Sequence, residues 1–127
     1  MDRLWAPWRI KYIKQFNKRK GCLFCVVAKQ SSDRRNLLIY RSTGVFSILN
    51  KFPYNNGHLM VCPYRHVSDL GQLDSDELLD LFSTVNKMQL LLRKILRPDG
   101  FNVGMNIGRV AGAGIPNHIH IHIVPRW

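Results

Sequence analysis

The chain has 127 residues, of which 46% are hydrophobic and 21% are charged, a size and balance typical of one globular domain with a buried core. It contains no run of eighteen apolar residues, and its charged start, MDRLWAPWRIKYIK, lacks the apolar stretch of a signal peptide. These features exclude a membrane-spanning helix and argue against secretion. Three cysteines, two of them in a Cys-x-x-Cys pair, do not suit a disulfide framework, so we expect a cytoplasmic protein.

Positive charge is concentrated at the N-terminus. The 19 Lys and Arg residues against 8 Asp and Glu give a net charge of +11, and the first 35 residues hold ten of the basic side chains. A surplus of this size indicates either an anionic partner or a role in solubility, and a basic N-terminal arm is common as a nucleic-acid-binding or membrane-binding tail. Trp8, Tyr12 and Phe16 recur within it every four residues, which predicts a short helical segment with an apolar stripe. We therefore predict an arm over 1–20 and one domain over 21–127.

Five strands and one long helix are predicted after the arm. Asp74 and Glu77 have the spacing of a capping box, and apolar residues then recur every three or four positions until Arg97-Pro98 ends the helix. The fold class is α+β, with a five-stranded, mostly antiparallel sheet and the helix across one face. The strands are predicted over 37–41, 45–49, 58–62, 101–107 and 118–124, and the apolar stripe of the helix comprises Leu78, Leu81, Phe82, Val85, Met88, Leu92, Ile95 and Leu96.

The last predicted strand carries three histidines. His118, His120 and His122 alternate with isoleucines, so a strand would place the imidazoles on one face and the isoleucines on the other. Two chemistries fit this pattern: a catalytic metal site of three histidines, or a neutral imidazole that attacks phosphorus while its neighbours hold its tautomer and donate to phosphoryl oxygens. The glycine-rich loop before the strand favours the second, because its backbone N–H groups can hold phosphate.

A family resemblance rests on these residues. The stretch HIHIHIV, preceded by AGAGIPN and followed by PRW, resembles the signature of the histidine triad (HIT) superfamily of nucleotide hydrolases and transferases. Together with MDRLWAPWR, CLFC and NKFPYNNGHLMVCPYRH, it resembles the diadenosine tetraphosphate phosphorylase and hydrolase branch. The resemblance implies a HIT-like fold, a homodimer that joins two five-stranded sheets, and a nucleotide substrate such as a dinucleoside polyphosphate.

The resemblance also assigns roles to individual residues. His120 matches the nucleophile that attacks the α-phosphorus to give a nucleotidyl-histidine intermediate. His122 matches the residue that contacts the phosphate oxygens, and His58 matches a fourth histidine that supports the site; with His118 these form the predicted catalytic set. Asn50 matches the carboxylate or amide that holds the ribose hydroxyls. The other predicted substrate contacts are Ile48 to the base, Asn106 to the phosphates or leaving group, and the loop residues Gly112, Ala113 and Gly114.

The cysteine pair, taken alone, fits zinc, redox chemistry or simple burial. A tetrahedral zinc site needs two further ligands beside Cys22 and Cys25, and His66 and His118 are the candidates. Some HIT-like proteins, and the related galactose-1-phosphate uridylyltransferases, use such a set. We expect structural zinc, which through His118 would also fix the strand that bears His120.

Two positions depart from the family. Ile115 stands where many members have a Ser or Thr that helps the leaving group, which favours a good leaving group such as a nucleoside polyphosphate over an amine. The branch usually continues beyond the position of Trp127, so the sequence is either truncated there or a short variant.

Two alternative functions stay open: a protein that binds nucleotides or nucleic acid without turnover, and a metal-dependent phosphohydrolase.

Overall fold

The computed structural model describes residues 22–50, 57–112 and 118–127. The predicted arm lies outside these ranges. Among the described residues, two helices and five strands confirm the α+β class, and no helix is both long and apolar enough to cross a bilayer. The elements are α1 (Leu23–Lys29), β1 (Leu38–Arg41), β2 (Val45–Leu49), β3 (Leu59–Pro63), α2 (Ser75–Leu96), β4 (Gly100–Gly104) and β5 (Ile121–Arg126), with single 3₁₀ turns at Leu70–Gln72 and Arg109–Ala111.

The strands form one sheet in the order β1-β2-β3-β5-β4, and every pair is antiparallel. β5, the last strand in the chain, is therefore inserted between β3 and β4. The register places Met60 of β3 on one side of His122 and Gly104 of β4 on the other. The last histidine of the triad consequently lies in the interior of the sheet, while β1 and β4 form its edges.

Helix α2 has the predicted ends. The carboxylate of Asp74 accepts a hydrogen bond from the backbone N–H of Glu77 (2.8 Å), and the Glu77 carboxylate accepts from the N–H of Asp74 (3.0 Å). These bonds satisfy N–H groups that the first helical turn leaves without partners. At the other end Arg97 adopts the left-handed conformation, with φ of 49°, and the helix stops before Pro98.

The apolar stripe of α2 is narrower than predicted. Leu81, Val85 and Leu92 are buried as expected, but Phe82 is 50% exposed and Ile95 is 65% exposed. Each of these two residues is adjacent in sequence to one that packs on the sheet, and consecutive residues point about 100° apart around a helix. The sheet covers only one side of α2, so it cannot bury both members of such a pair.

The sheet separates two apolar clusters. Ile119, Ile121 and Ile123 pack beneath α2, which confirms that the isoleucines of the triad segment form part of the core. On the opposite face, Phe24 and Val27 of α1 pack in a second cluster built on β1, β2 and β3. The rings of His118 and His120 contact Phe24, so the histidines lie on the face that α1 covers, as the alternation predicts.

Regular pairing of β5 starts later than the sequence pattern indicates. The strand begins at Ile121, so the prediction of a strand from His118 is wrong at its start. The reason is that β3 pairs with β5 only up to Val61, and beyond that point the N–H of Ile119 donates to the carbonyl oxygen of Val67 (2.7 Å). β4 is likewise shorter than predicted and ends at Gly104.

Arg41 of β1 anchors the C-terminal end of α1. Its guanidinium donates to the carbonyl oxygens of Ala28 (2.9 Å) and Gln30 (3.0 Å) and forms a two-point ion pair with Asp33 (2.9 and 2.7 Å). This pairing holds the pKa of the Asp33 carboxyl below its usual value. α1, which carries Cys25 and Phe24, is thus fixed to the sheet at its apolar face and to the edge strand β1 at its C-terminal end.

A first prediction concerns Gly57, directly before His58. Its φ is +80°, and a Cβ there would lie 2.5 Å from Cδ1 of Leu96 at the end of α2. We expect Gly57→Ala to lower the free energy of unfolding by about 2–4 kcal/mol, from left-handed strain and overpacking together. Urea denaturation measures this effect. Gly100→Ala is the control, because a Cβ at Gly100 meets no atom within 4 Å; equal losses in the two variants would contradict the prediction.

Candidate functional site

Four histidines are buried together where β3 and β5 lie side by side. His58 immediately precedes β3, His122 is the second residue of β5, and His118 and His120 lie just before β5. All four are at most 8% exposed. Burying a polar side chain costs free energy unless it is hydrogen-bonded. The hydrogen bonds of these four rings therefore indicate which ring nitrogen carries the proton in each.

The ring of His120 has a fixed orientation. Its Nδ1–H donates to the backbone carbonyl oxygen of His118 at 2.9 Å, which in the neutral ring puts the lone pair on Nε2. The ring of His122 meets it edge-on, with centroids 4.7 Å apart. Nε2 is therefore the nitrogen of His120 that carries the lone pair in the neutral ring, and the next imidazole of the triad lies directly beside that ring.

A second chain of contacts supports His122. Nδ1 of His122 is 2.8 Å from Nε2 of His58, whose Nδ1 is 3.2 Å from the side-chain amide nitrogen of Asn50. The backbone N–H of Asn50 also donates to the carbonyl oxygen of His58 at 2.9 Å. The structure thus brings together Asn50, His58 and His122, which the sequence analysis placed in one site.

The two cysteines of the Cys-x-x-Cys pair converge with two histidines. Sγ of Cys22 is 3.3 Å from Nδ1 of His118, and Sγ of Cys25 is 3.3 Å from Nδ1 of His66 and 3.5 Å from that of His118. The two Nδ1 atoms are 3.3 Å apart. The four ligand atoms lie within 4.8 Å of one another, so this group can hold a metal ion. It consists of the four residues predicted from the sequence.

Burial favours the neutral forms of His118 and Cys22 when no cation is bound. Removal from water lowers the pKa of His118, with a smaller lowering from His66. It raises the pKa of Cys22; the backbone hydrogen bond from Cys25 opposes this rise, whereas the neighbouring Cys25 thiol adds to it. His118 donates from Nε2 to the carbonyl oxygen of Pro63 at 2.7 Å, which leaves the lone pair of the neutral ring on Nδ1, the atom that faces the thiols. The His118 ring is thus already oriented to coordinate a cation.

Sequence reasoning missed one residue of the site, Phe24. This ring is fully buried and contacts His118 (centroids 5.3 Å apart) and His120 (4.9 Å). It therefore contacts both His118, a predicted metal ligand, and the triad histidine His120, and it connects α1 to both rings. Its position between Cys22 and Cys25 was the available signal, but only the docking of α1 on the sheet reveals the contact.

Besides Asn50, three of the predicted substrate-binding residues lie among the described residues: Ile48, Asn106 and Gly112. Ile48 is buried in the cluster beneath α1. Asn106 follows the end of β4 by two residues, and its amide donates to the carbonyl oxygen of Gly112 at 3.4 Å, so these two residues meet across the glycine-rich loop. Gly112 is left-handed, with φ of +91°. Ala113, Gly114 and Ile115 lie outside the described residues.

Comparison with known proteins identifies similar sequences. The family model for the HIT domain matches residues 31–127. The AP-4-A phosphorylase of Mycobacterium tuberculosis strain H37Rv is 40% identical over 134 residues, which cover 100% of this chain and 69% of that protein. The asymmetrical bis(5'-nucleosyl)-tetraphosphatase of Schizosaccharomyces pombe is 37% identical over 89 residues, which cover 70% of this chain and 48% of that protein.

Solved structures share the fold. A Zn-bound histidine triad family protein from Mycobacterium smegmatis has a TM-score of 0.73 and 30% identity, over 84% of this chain and 76% of that one. A HIT family protein from Bacillus subtilis has a TM-score of 0.76 and 27% identity, over 85% of this chain and 74% of that one. These similarities confirm the resemblance and the fold that the triad sequence predicted.

Proposed function

The chain belongs to the HIT domain family, and on that premise we propose that it is an enzyme that cleaves dinucleoside polyphosphates at the α-phosphorus through His120. The observation that carries this proposal is the hydrogen bond from Nδ1–H of His120 to the carbonyl of His118, which directs the lone pair of Nε2 away from the backbone. The names of two relatives, AP-4-A phosphorylase and bis(5'-nucleosyl)-tetraphosphatase, support this substrate class.

The proposed reaction has two displacement steps. Nε2 of His120 forms a bond to the α-phosphorus, while the bond from that phosphorus to its bridging oxygen breaks and a nucleoside polyphosphate leaves. Water or inorganic phosphate then attacks the same phosphorus, the bond to Nε2 breaks, and the imidazole is regenerated. His122, beside His120, donates to a phosphoryl oxygen as negative charge develops on it.

The remaining predicted residues bind the substrate. Asn50, whose side-chain amide contacts His58, interacts with the ribose hydroxyls. Ile48 lies in the apolar cluster that receives the base. Asn106 and Gly112 hold the loop that contacts the phosphates, with Ala113 and Gly114 continuing it. Several negative charges on the substrate suit a protein with a net charge of +11.

We propose zinc as the metal at Cys22, Cys25, His66 and His118. A tetrahedral zinc ion with Zn–S of about 2.3 Å and Zn–N of about 2.0–2.1 Å separates its ligand atoms by roughly 3.3–3.8 Å. The separations here are 3.3–3.5 Å for four ligand pairs. A cation at this point would neutralise the two thiolates and hold α1 against the segment that precedes β5.

The donor set argues for a structural metal and against a metal-dependent hydrolase. Four protein ligands fill a tetrahedral site, whereas a catalytic zinc keeps one position for water. His120 and His122 take no part in the group of four. Binding without turnover, the other alternative, does not require the fixed tautomer of His120, and its test is the loss of activity in a His120 variant.

We further propose a homodimer that joins two sheets edge to edge in a reducing, cytoplasmic environment. β4 is an edge strand, and Val103 on it is 50% exposed, which leaves an apolar side chain at that edge. Cys22, Cys25 and Cys62 are free thiols, as suits such a compartment. Sedimentation equilibrium of the wild type and of Val103→Lys tests the dimer.

Product analysis tests the reaction. We expect the zinc-loaded protein to cleave diadenosine tetraphosphate to AMP and ATP when water is the acceptor, and to ADP and ATP when phosphate is present and acts as the acceptor. Chromatography of the nucleotides, with and without phosphate, measures this outcome. The control is an enzyme-free incubation under the same conditions. An intact substrate after prolonged incubation in both buffers would contradict the proposed function.

A further inference from the structure

We propose that Asn50 fixes the direction of the protons in a buried chain running from its side-chain amide through His58 to His122, and so makes Nε2 of His122 a hydrogen-bond donor. Only the identity of the acceptor, a phosphoryl oxygen, rests on the proposed function. Asn50 is thereby a positioning residue for His122, a role separate from its predicted contact with the ribose.

The first link joins Asn50 to His58. The amide nitrogen of Asn50 lies 3.2 Å from Nδ1 of His58, and both residues are buried. An amide nitrogen carries two hydrogens and does not accept, so it donates, and Nδ1 of His58 must hold a lone pair. The neutral ring of His58 therefore carries its proton on Nε2. The backbone hydrogen bond between the same two residues, at 2.9 Å, fixes their separation.

The second link, from His58 to His122, determines the tautomer of His122. Nε2 of His58 and Nδ1 of His122 are 2.8 Å apart, and because the proton is on His58, Nδ1 of His122 accepts. The neutral ring of His122 then carries its own proton on Nε2. Next to it, His120 has its proton on Nδ1 and its lone pair on Nε2. The two adjacent rings consequently offer a nucleophile and a donor, which an attack on a phosphoryl group requires.

The amide of Asn50 is essential to this direction. A carboxylate at the same place has no proton to give and only accepts, so it requires a hydrogen on Nδ1 of His58. That hydrogen either reverses both links or adds a second proton to His58. The substitution Asn50→Asp keeps oxygen acceptors for the ribose hydroxyls, and it therefore separates the proton chain from ribose binding.

The first test uses the wild-type, zinc-loaded protein without substrate. Long-range ¹H–¹⁵N NMR of the imidazole rings distinguishes protonated from unprotonated nitrogens. We expect His58 and His122 to be protonated on Nε2 and unprotonated on Nδ1, and His120 to show the opposite pattern. Protonation of Nδ1 in His58 or in His122 would overturn the inference, since it corresponds to the reversed chain.

The second test compares two substitutions that make the same change of charge. In Asn50→Asp we expect a proton on Nδ1 of His58, a kcat about 10²–10³-fold lower, and a KM within about threefold of the wild type. Asn86→Asp, at an exposed position of α2, should leave the tautomers and kcat unchanged. Wild-type kcat in Asn50→Asp, or a loss confined to KM, would overturn the inference.

The two proposals fail in different ways. If the tautomers are as expected but diadenosine tetraphosphate is not cleaved, the proton chain stands and the proposed function falls. If the substrate is cleaved while the tautomers of the free protein are reversed, the proposed function stands and the role of Asn50 falls.

Discussion

Replacing His120 by Ala is expected to lower kcat for diadenosine tetraphosphate cleavage by about 10⁴-fold or more, because a covalent nucleophile has no substitute among its neighbours. KM should change little, since the predicted ribose and base contacts involve other residues. Steady-state kinetics, with chromatographic detection of the nucleotides, measures both constants.

The variant protein supplies its own controls. His120 is not a member of the four-residue metal group, so the zinc content of His120→Ala should equal that of the wild type. His118 should keep the hydrogen bond from its Nε2 to the carbonyl oxygen of Pro63, because the ring of His120 takes no part in that bond. A folded, zinc-loaded variant that retains more than about one tenth of the wild-type kcat would show that His120 is not the nucleophile.

Loss of the metal is expected to be the largest single change in stability. A ligand present at about 1,000 times its Kd and bound only by the folded state adds about 4 kcal/mol, which for a chain of this size corresponds to roughly 10–20 °C in Tm. We therefore expect Cys25→Ser to lose zinc and to unfold at a temperature lower by that amount. Calorimetry and metal analysis by mass spectrometry measure the two effects.

The third cysteine provides the matched control for this prediction. Cys62 is fully buried in β3 but lies outside the metal group, so Cys62→Ala should keep one zinc per chain. Chelation of the wild type should reduce activity only as the protein unfolds, because the proposed zinc would hold structure rather than substrate. Immediate loss of activity on chelation, before any unfolding, would instead favour the metal-dependent phosphohydrolase.

Patterns that depend on local chemistry were predictable from the sequence. The alternation of His and Ile predicted which face of the sheet each residue type would occupy, because successive side chains in extended backbone point in opposite directions. The capping box at Asp74 predicted the start of α2, since this motif depends on residues only three positions apart. The metal group followed from the number and type of ligands that zinc needs.

Features that depend on packing between distant segments were not predictable. The start of β5 at Ile121 depends on where β3 ceases to pair and on the bond from Ile119 to Val67. The contact of Phe24 with two histidines depends on the docking of α1, which is separated from them by more than ninety residues. The exposure of Phe82 depends on how far the sheet extends beneath α2. None of these is encoded in a short motif.

Trapping the reaction intermediate tests the central claim most directly. After brief mixing of the wild-type protein with diadenosine tetraphosphate and quenching in alkali, which preserves a phosphorus–nitrogen bond, peptide mass spectrometry locates any nucleotidyl group. We predict an adenylyl group on His120, absent when His120 is replaced by Ala. Rapid cleavage of the substrate with no adduct on any histidine, or an adduct on a residue other than His120, would contradict the account.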